Sequence, residues 1–253
     1  MTQYDDNFFD YVNSGALQSA KAILPILQAQ LKIDSVLDVG CGQGAWLAIW
    51  KQLGVSTVHG IDGDYVARDR LLIEPDEFTA VNLVEAFDLG KKFDLVQSLE
   101  VGEHLPESAS ADFVASIVKH GQVILFSSAA KGQGGDHHIN EQDYEFWRAH
   151  FARHDYLPID ALRPQILDHP EIEPWYRYNS ILYVEKSYLE QCTGAFFEQG
   201  IDPATPIPDL SPALYQLRKK LVRLLPIKVA TQIAKIKEAR TVKKRAGSRI
   251  SNR

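Results

Sequence analysis

The chain has 253 residues, 45 % of them hydrophobic, and a formal net charge of −6 at pH 7, which fits one large domain, or one domain with an appendage, around a packed core. No run of about 18 apolar residues occurs, so no membrane-spanning helix is expected, and the acidic, polar start of the chain predicts no signal peptide. Two widely separated cysteines, Cys41 and Cys192, form no metal-ligand pattern and point to a reducing, cytoplasmic setting.

Residues 14–31 carry an amphipathic helical pattern in which a kink is expected at Pro25. Strands are expected at residues 35–40, 57–62, 77–82, 93–100 and 121–129. Several are continuously apolar, as parallel strands covered on both faces are. Helical patterns fall between them at 45–53, 64–72 and, after Pro106, 107–119. This alternation predicts an α/β fold built on an open, doubly wound, mostly parallel sheet. Residues 131–138 then form a polar, glycine-rich loop, and Asn140 is placed to cap a helix reaching Phe151, with Asp143 near its positive end. Two further strands, 156–160 and 180–186, bring the count to seven. Between them runs an irregular stretch rich in proline and aromatics, and long loops of that kind are usually functional. Pro203, Pro206, Pro208 and Pro212 mark residues 201–212 as a linker between a domain at 1–200 and a tail at 213–253.

The tail is set apart by charge. Thirteen of the 27 Lys+Arg and one of the 33 Asp+Glu, Glu238, fall in residues 214–253. Leu214, Leu217, Leu221 and Leu224 share one helical face flanked by Arg218, Lys219, Lys220 and Arg223. A second helical stretch is expected at 229–239 and disorder at 241–253. A basic amphipathic helix suits peripheral docking on an anionic membrane, or packing on the domain or on an oligomer partner. Nucleic acid is the weaker reading, because the body of the chain is acidic.

The most informative segment runs from Val36 to Leu47. A buried strand breaks at Gly40-Cys41-Gly42-Gln43-Gly44 and a helix opens at Ala45. Glycine permits the positive φ and the close backbone approach that a ligand-cradling turn needs. With Ala45 the spacing also fits the dinucleotide fingerprint, and Asp62 stands about twenty residues on, where an acid binds ribose hydroxyls. Taken alone, this leaves NAD and S-adenosylmethionine (SAM) open. SAM is favoured by Asp38, an acid suited to a cationic amino group, by the third alternating glycine, and by the lack of a second mononucleotide half.

At this point the sequence resembles the class I SAM-dependent methyltransferases. Asp38, Gly40, Gly42 and Gly44 match their first motif. Gly60-Ile61-Asp62 matches the second, whose acid holds the ribose. Asn82 and Leu83 match the adenine-reading position after the third strand. Glu100-Val101-Gly102-Glu103-His104 matches the fourth-strand motif, whose Glu100 lines the cofactor pocket. The resemblance implies a Rossmann-like fold, SAM as cofactor and S-adenosylhomocysteine (SAH) as product. Gly132-Gln133-Gly134-Gly135, followed by His138-Ile139-Asn140-Glu141-Gln142, resembles a loop of a bacterial subgroup associated with surface polysaccharides. That implies O-methylation of a sugar hydroxyl on a glycan acceptor. A methyltransferase for RNA or a small metabolite, and an idle SAM-binding module, are the alternatives.

Methyl transfer to a hydroxyl needs a base and alignment. His138, then His104 and His137, are the candidate catalytic residues. Two carboxylates and a histidine in E-x-x-E-H, with a later histidine, also resemble the ligand set of metal-dependent methyltransferases. Glu103 and His104 are the candidate ligands for a divalent metal. Trp147, Trp175, Tyr176 and Tyr178 suit either a wall for sugar rings or the core. Arg163 and Arg177 are candidates for reading an acidic acceptor.

Overall fold

A computed structural model of the chain describes residues 6–224, with side chains from residue 13 onward. In chain order the elements are α1 (Asp6–Gln28), β1 (Ser35–Val39), α2 (Ala45–Gln52), β2 (Thr57–Asp62), β3 (Phe78–Ala80), β4 (Leu95–Leu99), α3 (Ser110–Val118), β5 (Val123–Ser127), α4 (Tyr144–Ala152), β6 (Tyr156–Ile159), α5 (Arg163–Ile166), α6 (Pro174–Asn179), β7 (Ile181–Glu185), α7 (Lys186–Leu189) and α8 (Ala213–Val222). The strands form one seven-stranded sheet in the order β3-β2-β1-β4-β5-β7-β6. The first five run parallel, and β7 is antiparallel to both β5 and β6. This is the doubly wound, mostly parallel Rossmann-like sheet that the alternation of elements predicts.

Successive side chains of a strand point to opposite faces, and both faces here are apolar. Val36, Leu95 and Leu125 join the cluster that includes Leu24 of α1 and Trp50 of α2. Leu37, Val96 and Ile124 join the one that includes Phe113 of α3 and Phe151 of α4. Strand order reverses between β1 and β4. Ligands of open α/β sheets bind beyond the carboxyl ends of the strands at such a reversal. Those two ends deliver Gly40 and Glu100.

Three local expectations are corrected. Residues 64–72 are not a helix but turns and one 3-10 turn at Arg68–Arg70. Ala67 is extended, and the chain must return to the glycine turn, where Leu72 N donates to Gln43 O at 2.8 Å. Asn140 is not a helix cap: its amide donates to Gly102 O at 3.3 Å and Ser110 Oγ at 3.1 Å, and Asp143 takes the position before α4. The irregular aromatic stretch contains the short helices α5 and α6. The proline-rich residues 201–212 lie against the domain. Arg148 donates to the carbonyls of Ile201, Asp202 and Thr205, and Ile207 is buried. Among the described residues no helix is long and apolar enough to cross a membrane. The helix expected at 229–239 and the disorder expected at 241–253 lie outside the described residues.

One buried histidine makes stability depend on pH. His120 is fully buried; its Nδ1–H donates to Ser116 O at 2.7 Å and its Nε2 accepts from Leu89 N at 2.9 Å. Only the neutral ring can make both bonds, and burial holds its pKa below the ordinary 6.5. The unfolded chain therefore takes up a proton that the folded chain refuses. The stability tied to this ring is complete above the unfolded pKa and is lost as pH falls below it, by at most about 1.4 kcal/mol per unit. The drop in Tm between about pH 7.5 and 5.5 should be smaller in His120→Gln than in the wild type, as read by thermal melts.

Candidate active site

The cradle begins at the end of β1. Gly40, Gly42 and Gly44 all have positive φ, +83°, +53° and +82°. A side chain is excluded at Gly40 twice over, because a Cβ there would also collide with Val101. Asp62, 5 % exposed, pins the turn. Its carboxylate accepts Gly42 N at 2.7 Å, Gly63 N at 2.6 Å and Tyr65 Oη at 2.5 Å. The acid expected to hold the ribose thus also holds the turn. Asn82 is exposed; its Oδ1 accepts Val84 N at 3.2 Å and its amide donates to Glu85 at 2.8 Å, while Leu83 is buried beside it.

Asp38 is 3 % exposed and pairs in register with Gln97. Burial pushes its carboxyl up to about 7; the Gln97 amide lowers it and Asp62 raises it by smaller amounts. A carboxylate is needed to attract an ammonium group. In the free protein, Asp38 must therefore lose a proton before it binds one below pH 7. SAH affinity should be level above about pH 7.5 and fall by up to about tenfold per unit below pH 7. Asp38→Asn should bind weakly with a flatter profile; titration calorimetry across pH checks both.

The second half of the site stands on β4 and its following loop. Glu100, at φ +57°, accepts Gln133 Nε2 at 2.9 Å and Asn179 Nδ2 at 3.3 Å. Burial first, and Glu103 second, push it up to about 8. Glu103 is fully buried. Its Oε2 accepts Ser128 Oγ at 3.0 Å, and its Oε1 meets no hydrogen-bond donor among the described residues. His138 Nε2 lies 4.0 Å from that Oε1. His138 Nδ1 lies 2.8 Å from Glu141, and the His104 ring stands edge-on to it at 5.0 Å. Ligand atoms of Glu103, His104 and His138 all fall within 4.8 Å of one another. Burial opposes a charge on His138, yet the Glu141 bond and the Glu103 carboxylate outweigh it and raise its pKa.

The expected histidines therefore separate. His104 and His138 meet; the ring of His137 does not join them. It is half exposed and 3.7 Å from Asp136, while its backbone oxygen lies 3.3 Å from His104 Nδ1. Four supporting residues carried no reading of their own in the sequence: Gln133, Asn179, Ser128 and Glu141. Glu141 accepts Gly132 N at 2.8 Å and Gly134 N at 2.6 Å besides holding His138. Its spacing of three from His138 was the available signal. A Cβ at Gly135 would collide with the His138 imidazole, so that glycine leaves room for the ring.

The aromatic and arginine candidates fall mostly to the core. Trp147 is 2 % exposed and packs where a Cβ of Gly102 would be; Tyr176 and Tyr178 are buried, and Trp175 packs against the core. Arg163 is fully buried, bidentate to Asp160 at 2.7 and 2.6 Å, and donates to Tyr178 O and Pro208 O. It ties loops together and is not exposed to an acceptor. Arg177 donates to Leu167 O at 3.3 Å.

A seven-stranded sheet of this order, with a glycine cradle and a buried acid at its reversal, defines the class I SAM-dependent methyltransferases. A family model described as "Methyltransferase domain" matches residues 13–165, and the chain belongs to that family. SAM is the cofactor this assigns. A mitochondrial ubiquinone biosynthesis O-methyltransferase of Dictyostelium discoideum is 31 % identical over 114 residues, 38 % of this chain and 36 % of that protein. The match therefore spans little more than a third of that relative's length. Among solved structures, Streptomyces venezuelae DesVI superposes with a TM-score of 0.54 at 16 % identity, over 72 % of this chain and 99 % of its own. The sugar N-methyltransferase KedS8 from Streptoalloteichus sp ATCC 53650 does so at 0.54 and 16 %, over 73 % and 96 %. At those identities the likeness is one of fold.

Proposed function

We propose that the protein is an O-methyltransferase that passes the methyl group of SAM to a sugar hydroxyl and uses a divalent cation held by Glu103, His104 and His138. One observation carries the reading: a fully buried carboxylate oxygen without a hydrogen bond faces two imidazoles. A buried carboxylate oxygen that accepts no hydrogen bond is costly in an apolar interior unless a cation or a proton compensates it. An oxygen and two nitrogens suit Mn²⁺, Zn²⁺ or Co²⁺ better than an all-oxygen site would. A cation bound there would act as a Lewis acid that lowers the pKa of an acceptor hydroxyl.

The chain's own residues do the positioning. Glu141 accepts from His138 Nδ1–H and so aims Nε2 at Glu103, the carboxylate–histidine support found behind metal ligands. The His137 carbonyl, 3.3 Å from His104 Nδ1, accepts from that nitrogen and orients the ring. Ile139 N and Asn140 N both donate to Glu103 O, clamping the histidine loop onto the glutamate's own backbone. Asp38 and Asp62 are proposed to hold the amino group and the ribose of SAM, which fixes the methyl group's approach. A vicinal diol, common on sugars, offers two oxygens to one cation. This supports the glycan acceptor together with the glycine-rich loop's resemblance to that of the polysaccharide-associated subgroup.

The ubiquinone biosynthesis relative supports a second reading, in which the acceptor is a small aromatic metabolite; a catechol would be the vicinal diol of that class. SAH release against nucleotide sugars, lipid-linked glycans and catechols separates the two. Turnover should fall at least ~100-fold in EDTA and return with added Mn²⁺, Co²⁺ or Zn²⁺. Calorimetry should show one cation bound per chain. Full turnover in EDTA would sink the metal and leave His138 or His104 as a simple base.

A further inference from the structure

Helix α8 carries its amphipathic pattern the wrong way round for an ordinary surface helix. Leu214, Leu217 and Leu221, and Leu224 two residues past its end, are 81, 53, 58 and 80 % exposed. The basic side is the one that docks. Lys219, 3 % exposed, pairs with Asp209 at 2.5 Å. Arg218 donates to Gln133 O at 2.9 Å; Arg223 donates to Lys131 O at 2.9 Å and reaches Asp143 at 3.1 Å. The seat is close: Gly132 has φ +80°, and a Cβ there would collide with the Lys219 carbonyl. A helix that only covered the domain would bury its leucines and leave its charges in water.

We propose that α8 seats its leucine stripe in an anionic lipid surface while its basic side grips the loop of the active site, so that lipid binding and loop order are coupled. The occupant follows from what comes next in the chain. Residues 225–253 hold nine Lys+Arg against the single acid Glu238, beyond a body that is strongly acidic. Apolar side chains beside a polybasic stretch are the two signals that stable peripheral attachment needs, with about 1 kcal/mol per basic residue near the surface. A second copy fits less well. The exposed stripe is four leucines, against the ~20–30 residues a side of a stable interface, and two copies would double an already strongly basic tail. Nucleic acid would use the charges and leave the leucines in water.

The coupling runs through short links. Arg218 holds the carbonyl of Gln133, whose amide holds Glu100. Glu141 holds the N–H groups of Gly132 and Gly134 and also His138. This half rests on the reading of Glu103, His104 and His138 as the active site; the lipid half does not.

The test uses the full chain with vesicles of phosphatidylcholine alone or with ~30 mol % phosphatidylglycerol. It is compared with the double variant Leu217→Glu/Leu221→Glu, whose positions are exposed. Hydrogen exchange is followed across residues 131–138. The wild type should sediment with anionic and not with neutral vesicles, the double variant at least ~10-fold less, and exchange in the loop should slow on vesicles. Equal sedimentation of the two proteins overturns the stripe. So does a wild-type dimer that the double variant converts to monomer, which would assign the stripe to a second copy. Vesicle binding with unchanged exchange overturns the coupling. Neither readout measures methyl transfer, so a wrong acceptor or an absent metal does not change it.

Discussion

Glu103→Gln is expected to reduce methyl transfer by about a thousandfold, a loss of ~4 kcal/mol of transition-state stabilisation, while the fold stays at least as stable as the wild type. Glutamine keeps the shape and can still accept from Ser128 Oγ, which now bonds Oε2 at 3.0 Å. It removes a buried charge whose Oε1 has no hydrogen-bond donor among the described residues. Burial already pushes the Glu103 carboxyl upward, with His138 pulling it back, so the neutral amide relieves a strained site in the free protein. Activity and stability should therefore move apart: SAH release collapses, cation binding by calorimetry disappears, SAH affinity changes by less than about threefold, and Tm holds or rises. A Tm that falls together with activity would make Glu103 a structural residue and remove the main support for the cation. Gly135→Ala should reach part of the same phenotype from the other side, by pushing His138 away from Glu103 without altering either ligand.

The sheet was legible because several of its strands, β5 (Val123–Ser127) and β7 (Ile181–Glu185) above all, are nearly continuous apolar runs, and strand and helix patterns alternate along the chain. β2 occupies the expected residues, and β1, β4 and β5 differ at their ends. The cradle was legible because glycine at three alternating positions has few other uses, and each one does take positive φ. What failed is what depends on residues distant in sequence. Asn140 has the composition of a cap, but its amide is claimed by Gly102 and Ser110. Trp147 looked available to a sugar until Gly102, forty-five residues earlier, provided the flat surface it packs against. Amphipathicity gave α8 two distinct faces but not which one docks. That was decided by carbonyls at Lys131 and Gln133 and carboxylates at Asp143 and Asp209. A short polar loop with orphan carbonyls can outcompete leucines for a helix face, and no periodicity shows it.

Gly40→Ala is the second large effect, and it should strike both halves of the site at once. At φ +83° an L side chain costs about 1–2 kcal/mol, and its Cβ would strike the side chain of Val101, which is 9 % exposed. Forcing a methyl into a packed contact adds about 1–3 kcal/mol. Val101 lies between Glu100 and Gly102, so its displacement carries over to Glu103 and His104. Gly40 N and Cys41 N both donate to Ile61 O, at 2.8 and 3.2 Å, so a shift at residue 40 also reaches Asp62 at the end of β2. The expected loss is about 2–5 kcal/mol of stability and at least ~100-fold in SAH affinity. Val101→Ala added to Gly40→Ala should restore the part due to the collision and leave the part due to φ. The double variant should therefore regain more stability than SAH affinity, as read by denaturant melts and calorimetry. Equal recovery of both would mean that Val101 alone transmits the damage. No recovery of either would mean that the backbone angle, and not the contact between β1 and the Glu100–His104 segment, is what keeps residue 40 a glycine.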